Sequence, residues 1–181
     1  SSADFNLVSS SLVKSLVSCG DFVGGYVHPC VKQALEEKIR GVSLIGVTGS
    51  MGAGKSTLCE KLAESCSQIF HLDLDKLVHS VYYDDGDIGA FVRSEVRKNF
   101  GEDIFDCDKI NRKKLAKIIF DSKEKNLQLM EILKIPTLIK LKEKIREKKG
   151  IILLDAAYLS EYKMLPIVNQ NMILVGCNEN E

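Results

Sequence analysis

Gly49-Ser50-Met51-Gly52-Ala53-Gly54-Lys55-Ser56 follows the pattern G-x-x-x-x-G-K-[ST]. Its flanks decide what it means. The residues before it, Val42-Ser43-Leu44-Ile45-Gly46-Val47, read as a short buried strand, and those after it, Lys55 to Cys66, carry Leu58, Leu62 and Cys66 at helical spacing. A glycine-rich loop between a strand and a helix start aims unpaired N–H groups at one spot, and the helix dipole adds to the attraction for an anion. The glycines let the backbone bend tightly and approach a ligand, because they have no Cβ to collide with it. The run Gly49, Ser50, Met51, Gly52, Ala53, Gly54, Lys55, Ser56 and Thr57 is therefore the candidate ATP-binding stretch. Within it Lys55 is placed to reach the β/γ-phosphates and the Ser56 hydroxyl to ligate Mg²⁺.

The 181 residues suit one α/β domain with some extra, long enough to bury a sizeable core. Lys plus Arg and Asp plus Glu both number 25, so the formal net charge is zero. That balance gives no electrostatic case for nucleic acid or a membrane surface. No apolar run is long enough to span a bilayer, and the first residues lack the pattern of a signal peptide. Cysteines at 19, 30, 59, 66, 107 and 177 form no C-x-x-C pair. They read as reduced thiols of a cytoplasmic enzyme, not as a disulfide frame or zinc site.

Ahead of the strand, residues 1–40 do not look like a domain start. Ser9-Ser10-Ser11 precede a short helical pattern, Leu12, Val13, Leu16 and Val17, which Gly20 ends. Pro29 opens a second helix that puts Val31, Ala34, Leu35 and Ile39 on one face. After the loop helix, a strand at 69–73 delivers Asp73 and Asp75 to the end of the sheet, where ligands of open α/β folds bind. Two carboxylates there can orient a nucleophilic hydroxyl or hold water around Mg²⁺; the alternative is a cap on a helix Lys76–Tyr83. His71 and His79 read as ordinary partly buried or surface histidines, because no third ligand stands beside them in sequence.

Residues 87–149 read as a helical block able to cover a substrate. Phe91, Val92, Val96 and Phe100 repeat at helical spacing up to Gly101; Asn111 caps a helix with Leu115, Ile118 and Ile119 inward. Ser122 opens another through Leu127, Met130 and Leu133, which Pro136 interrupts, and Thr137 to Lys149 form a last helix. Two apolar strands follow at 151–154 and 172–175; the first ends in Asp155, a position suited to Mg²⁺ water ligands.

From residue 44 onward the blocks IGVTGSMGAGKST, HLDLDKLVH, FGEDIF, INRKKLAKIIF and IILLDAAYL resemble dephospho-coenzyme A kinase. The resemblance implies a P-loop NTPase-type parallel sheet with flanking helices, adenylate-kinase-like, and phosphorylation of the ribose 3′-hydroxyl of dephospho-coenzyme A by MgATP. Asp75 matches the family's catalytic aspartate, Asp73 its neighbour, and Arg112 the arginine of a D-R-x-x-L block in which Asn111 replaces the aspartate. Ile135 stands where the family has histidine before Pro136. A shikimate-kinase-like enzyme or a nucleotide-binding module without activity remain alternatives. The family continues into an arginine-bearing lid and a further strand, so sheet and lid are expected to be incomplete at the C-terminus. Weak ADP or ATP binding, association through an open sheet edge and little turnover are the expected result.

The stretch VSSSLVKSLVSCGDFVGGYVHPCVKQALEEKI resembles the end of bacterial phosphopantetheine adenylyltransferase, with His28-Pro29 at that family's V-P place. Consecutive enzymes of coenzyme A synthesis would then be joined near Arg40-Gly41 in a bifunctional protein. Residues 1–40 would be a helical tail packed loosely on a kinase domain at 41–181.

Overall fold

A parallel sheet of four strands, in the order Ile69–Asp73, Gly150–Asp155, Val42–Thr48, Met172–Leu174, holds the loop. The strands are β1 (Val42–Thr48), β2 (Ile69–Asp73), β5 (Gly150–Asp155) and β6 (Met172–Leu174). The computed structural model describes residues 8–156 and 165–176. β5 lies between β2 and β1, with Ile69 opposite Ile151 on one side and Val42 opposite Gly150 on the other. Its Ile152, Leu153 and Leu154 are at most 2% exposed, the unbroken apolar run that a strand covered on both faces needs. The expected α/β sheet with flanking helices is thus what the chain forms, and the four expected strands are all present.

The chain divides into two compact units, Ser1–Leu74 with Lys144–Glu181, and Asp75–Glu143. In the first, helix α3 (Lys55–Ser65) packs on the sheet through Cys59, buried with Val47 and Leu153. Helices α1 (Ser10–Ser18) and α2 (Pro29–Leu35, continued by a π-helical turn Glu36–Arg40) precede β1. Ser9 caps α1, its Oγ accepting from the Leu12 N–H, and Gly20 follows with φ of +78°.

The face of α2 departs from the one its apolar spacing suggests, although Leu35 packs on the α1 cluster as expected. Val31 and Ile39 are exposed, while Lys32 is fully buried and Glu36 nearly so. The Lys32 ammonium meets the Glu36 carboxylate at 2.9 Å and donates to Ile167 O and Asn169 Oδ1, both at 2.8 Å. Asn169 Nδ2 in turn donates to Glu36 at 2.8 Å, and Asn171 to Gln33 at 3.0 Å. Burial pushes the Lys32 pKa down, and the bond to Glu36 offsets part of that. A buried charge is tolerated only when its partners are in place, so this network overrides the helical hydrophobic pattern. The expected loose packing of the N-terminal helices is corrected by the same contacts.

The second unit takes in all but the first residue of helix α4 (Leu74–Tyr82), then α5 (Asp87–Phe100), a short 3₁₀ turn, hairpin β3–β4 (Phe105–Asp106, Lys109–Ile110), α6 (Arg112–Asp121) and α7 (Lys123–Ile145) up to Glu143. The hairpin interrupts what reads as an all-helical block. Its turn residues Cys107 and Asp108 both have positive φ, without the glycine that marks such turns in sequence. Asn111 caps α6 as expected, accepting from the Lys113 and Lys114 N–H groups. Helix α7 is continuous, with Pro136 inside it. Leu133, Thr137, Leu141 and Ile145 form one buried stripe at four-residue spacing, and packing along that stripe outweighs the local cost of the proline, about 3 kcal/mol. Leu133 is buried as expected, whereas Leu127 is exposed and Leu129 is buried in its place.

Candidate nucleotide-binding site

Gly49 leaves β1 with φ of +151°, and a Cβ on it would lie 2.0 Å from the Val175 carbonyl oxygen. No side chain fits there, so glycine at 49 is what lets the loop fold against the chain just after β6. At the other end Gly54, with φ of +85°, turns the chain into α3. Gly54 offers no side chain to cap that helix, so its first-turn amides receive no cap bond. Met51 stands 84% exposed at the tip. A short uncapped turn closing on a helix start is suited to binding an anion.

The Lys55 side chain is mostly buried, and its ammonium donates to Gly49 O at 3.0 Å and Ser50 O at 2.9 Å. The cation is held over the loop by the loop's own carbonyls. The Ser56 hydroxyl donates to Asp155 Oδ2 at 2.6 Å, joining the start of α3 to the end of β5. Asp155 is 4% exposed, and Asp73 ends the neighbouring strand directly opposite it in register. Two carboxylate positions thus stand side by side at the C-terminal ends of β2 and β5. A hydroxyl and a carboxylate are hard oxygen donors and fit Mg²⁺.

Behind these groups, His71 Nε2 lies 3.4 Å from Asp155 Oδ2 and makes no hydrogen bond, although the atom is buried. Cys59 Sγ completes a cluster whose ligand atoms all lie within 4.8 Å of one another. Burial pushes the Cys59 thiol up to about 11, with Asp155 and Glu60 adding to the shift. The cluster was missed in sequence because its members come from α3, β2 and β5, with no spacing pattern to connect them. It also changes the reading of His71, which has two further ligand-type groups beside it.

Asp75 and Arg112 belong to the second unit. Helix α4 begins at Leu74, so Asp75 sits inside its first turn and not at the cap expected of a helix starting at Lys76. Arg112 opens α6, its guanidinium 2.7 Å from His79 Nε2, in a recess of about 140 Å³ lined also by Tyr82, Leu115 and Leu129.

A family profile described as dephospho-CoA kinase matches residues 43–181. The chain belongs to the dephospho-CoA kinase family. The dephospho-CoA kinase of Aquifex aeolicus is 45% identical over 89 residues, covering 49% of this chain and 42% of that protein. Those of Fusobacterium nucleatum and Dehalococcoides mccartyi are 33% and 30% identical, covering 66% and 77% of this chain and 60% and 69% of theirs. The chain thus spans between about two fifths and two thirds of the length of these relatives. The crystal structure of TT1252 from Thermus thermophilus has the same fold, with a TM-score of 0.61 at 24% identity, covering 74% of this chain and 65% of that one.

Proposed function

We propose that this chain carries the nucleotide-binding and phosphoryl-transfer machinery of a dephospho-coenzyme A kinase, which moves the γ-phosphoryl of ATP to the ribose 3′-hydroxyl of dephospho-coenzyme A. The observation that carries this reading is the Ser56–Asp155 bond beside the uncapped loop, set within a chain of this family.

Lys55 and the amides of residues 49–57 hold the triphosphate and spread its charge. Ser56 and Asp155 are the residues that would hold Mg²⁺, which when bound neutralises the β- and γ-phosphate oxygens. Asp75 orients the acceptor hydroxyl and accepts its proton; Asp73 and Arg112 contribute to holding the acceptor. Phosphoryl transfer asks little covalent chemistry of the protein, so positioning and charge stabilisation supply most of the acceleration. ATP is the donor and dephospho-coenzyme A the acceptor. A cytoplasmic setting agrees with five free thiols among the described residues, and no described helix is long and apolar enough to cross a membrane.

The test is ADP release, coupled to a reporter, with dephospho-coenzyme A and with shikimate as acceptors. Faster turnover with shikimate would move the chain to another kinase class. ADP binding without turnover on either acceptor, in a full-length protein, would leave it a nucleotide-binding module.

We further infer that residues 6–40 descend from the end of an adenylyltransferase, making the natural protein bifunctional. Support comes from the resemblance of that stretch alone; the buried Lys32 and Glu36 tie these helices to the first unit more closely than a borrowed tail requires. The intact mass of the natural gene product tests it; a product without an adenylyltransferase-sized portion would refute it.

A further inference from the structure

Cys59, His71 and Asp155 bring a sulfur, an imidazole nitrogen and a carboxylate oxygen together from three elements of one unit. Cys59 is 0% exposed, and the Asp155 and His71 side chains are 5% and 12% exposed. The buried His71 Nε2 has no hydrogen-bond partner, an uncommon condition for an interior polar atom and one that marks it as available to a ligand. We propose that these three residues form a binding site for a thiophilic divalent cation, zinc in the first place, which shares Asp155 with the hard-oxygen Mg²⁺ position at Ser56.

The donor set selects the metal. Thiolate and imidazole suit zinc, whereas Mg²⁺ takes oxygen ligands and holds its water. Bonds of about 2.0–2.3 Å place tetrahedral ligands roughly 3.5 Å apart. His71 Nε2 and Asp155 Oδ2 already stand at that spacing, 3.4 Å, and all three ligand atoms lie within 4.8 Å of one another. Three protein ligands leave a fourth position for water. On binding, Cys59 gives its thiol proton to solvent and coordinates as thiolate, so one proton is released per metal bound.

The same oxygen, Asp155 Oδ2, accepts the Ser56 hydroxyl bond and faces His71. A cation at the Cys59 site therefore draws on an oxygen that the phosphate-loop side also uses. Zinc should weaken Mg²⁺-dependent nucleotide binding; this consequence, unlike the site itself, rests on the kinase reading.

The test uses the full chain, reduced and stripped of metal, titrated with Co²⁺ as a spectroscopic substitute for Zn²⁺. One equivalent of Co²⁺ should produce a sulfur-to-cobalt charge-transfer band and tetrahedral visible bands, both abolished by Zn²⁺. Cys59→Ala should lose the charge-transfer band, Cys66→Ala should keep it, and His71→Gln should weaken Co²⁺ binding about 100-fold or more. Circular dichroism checks the fold of each variant, and His71→Gln decides the matter should Cys59→Ala not fold. A wild-type spectrum without the sulfur band, a band that survives in folded Cys59→Ala, or an unchanged Co²⁺ affinity in His71→Gln would overturn the proposal. ADP binding to the metal-free protein with Mg²⁺ is measured alongside. Its absence would count against the kinase reading alone, and binding that zinc does not weaken would remove the competition.

Discussion

The Ser56 hydroxyl donates to Asp155 at 2.6 Å, linking two residues 99 positions apart in sequence. The contact brings the start of the loop helix to the end of the central strand, and it pairs two oxygen donors before any cation is bound. Ser56→Ala removes one of them. In Mg²⁺ it should weaken ADP binding about tenfold, the loss of one hydrogen-bonding ligand, and in EDTA the affinities of the two proteins should coincide. Calorimetric titration in both buffers reads the difference; an equal loss in EDTA would place Ser56 on the phosphates instead.

Lys55 is held by Gly49 O and Ser50 O and must turn from one or both to meet a phosphate. Lys55→Ala should weaken ADP binding about 10–100-fold, the range of a charge-assisted hydrogen bond, while the unliganded melting temperature changes little. A large fall in that temperature would mean that the lysine staples the empty loop.

Asp75→Asn should leave ADP affinity nearly unchanged and, in a full-length protein, lower turnover by roughly 10²–10⁴-fold, the usual range for loss of a general base. Matched loss of ADP binding would assign Asp75 to the cation's surroundings.

Lys32→Met should cost about 3–5 kcal/mol, because Glu36 is left buried without its cation. Adding Glu36→Leu should recover part of the loss. Urea denaturation of the two single variants and the double variant measures the coupling; strictly additive losses would show that the pair contributes nothing as a pair.

Asp84 accepts from the Lys140 ammonium and from the Gly89 and Gly86 N–H groups, while its own carbonyl takes the Arg93 guanidinium. The bond from Lys140, chiefly, and that from the Gly89 amide hold the Asp84 carboxyl below the usual carboxylate range. A depressed folded-state pKa gives stability that is present above the unfolded value, about 3.9, and is lost as pH falls through the folded one. Asp84→Asn should therefore lower the unfolding midpoint at neutral pH and flatten its fall below pH of about 4. Parallel acid limbs in the two proteins would contradict this.

The sheet, the loop and the Asn111 cap were legible because each depends on local signals: apolar runs, glycines at fixed offsets, an amide before a helix. The buried face of α2 was not, since Lys32 is interior only by virtue of Asn169 and Ile167, far along the chain. The hairpin at Cys107-Asp108 escaped notice because residues other than glycine adopt its turn. The helix through Pro136 shows packing prevailing over a local stop signal. In the site, Lys55, Ser56 and Asp155 could be read from their motifs, whereas Cys59 and His71 became neighbours only through folding.

The Lys32–Glu36–Asn169 network also bears on where this protein can be cut. Similarity to the family begins at residue 43, and a cloning boundary drawn there would discard Lys32 and Glu36 while keeping Asn169. The remaining piece would carry an interior amide without its two charged partners and an apolar surface opened to water. A border for expression, truncation libraries or domain grafting that keeps this network whole lies upstream of α2, at a place set by buried polar bonds and not by sequence kinship.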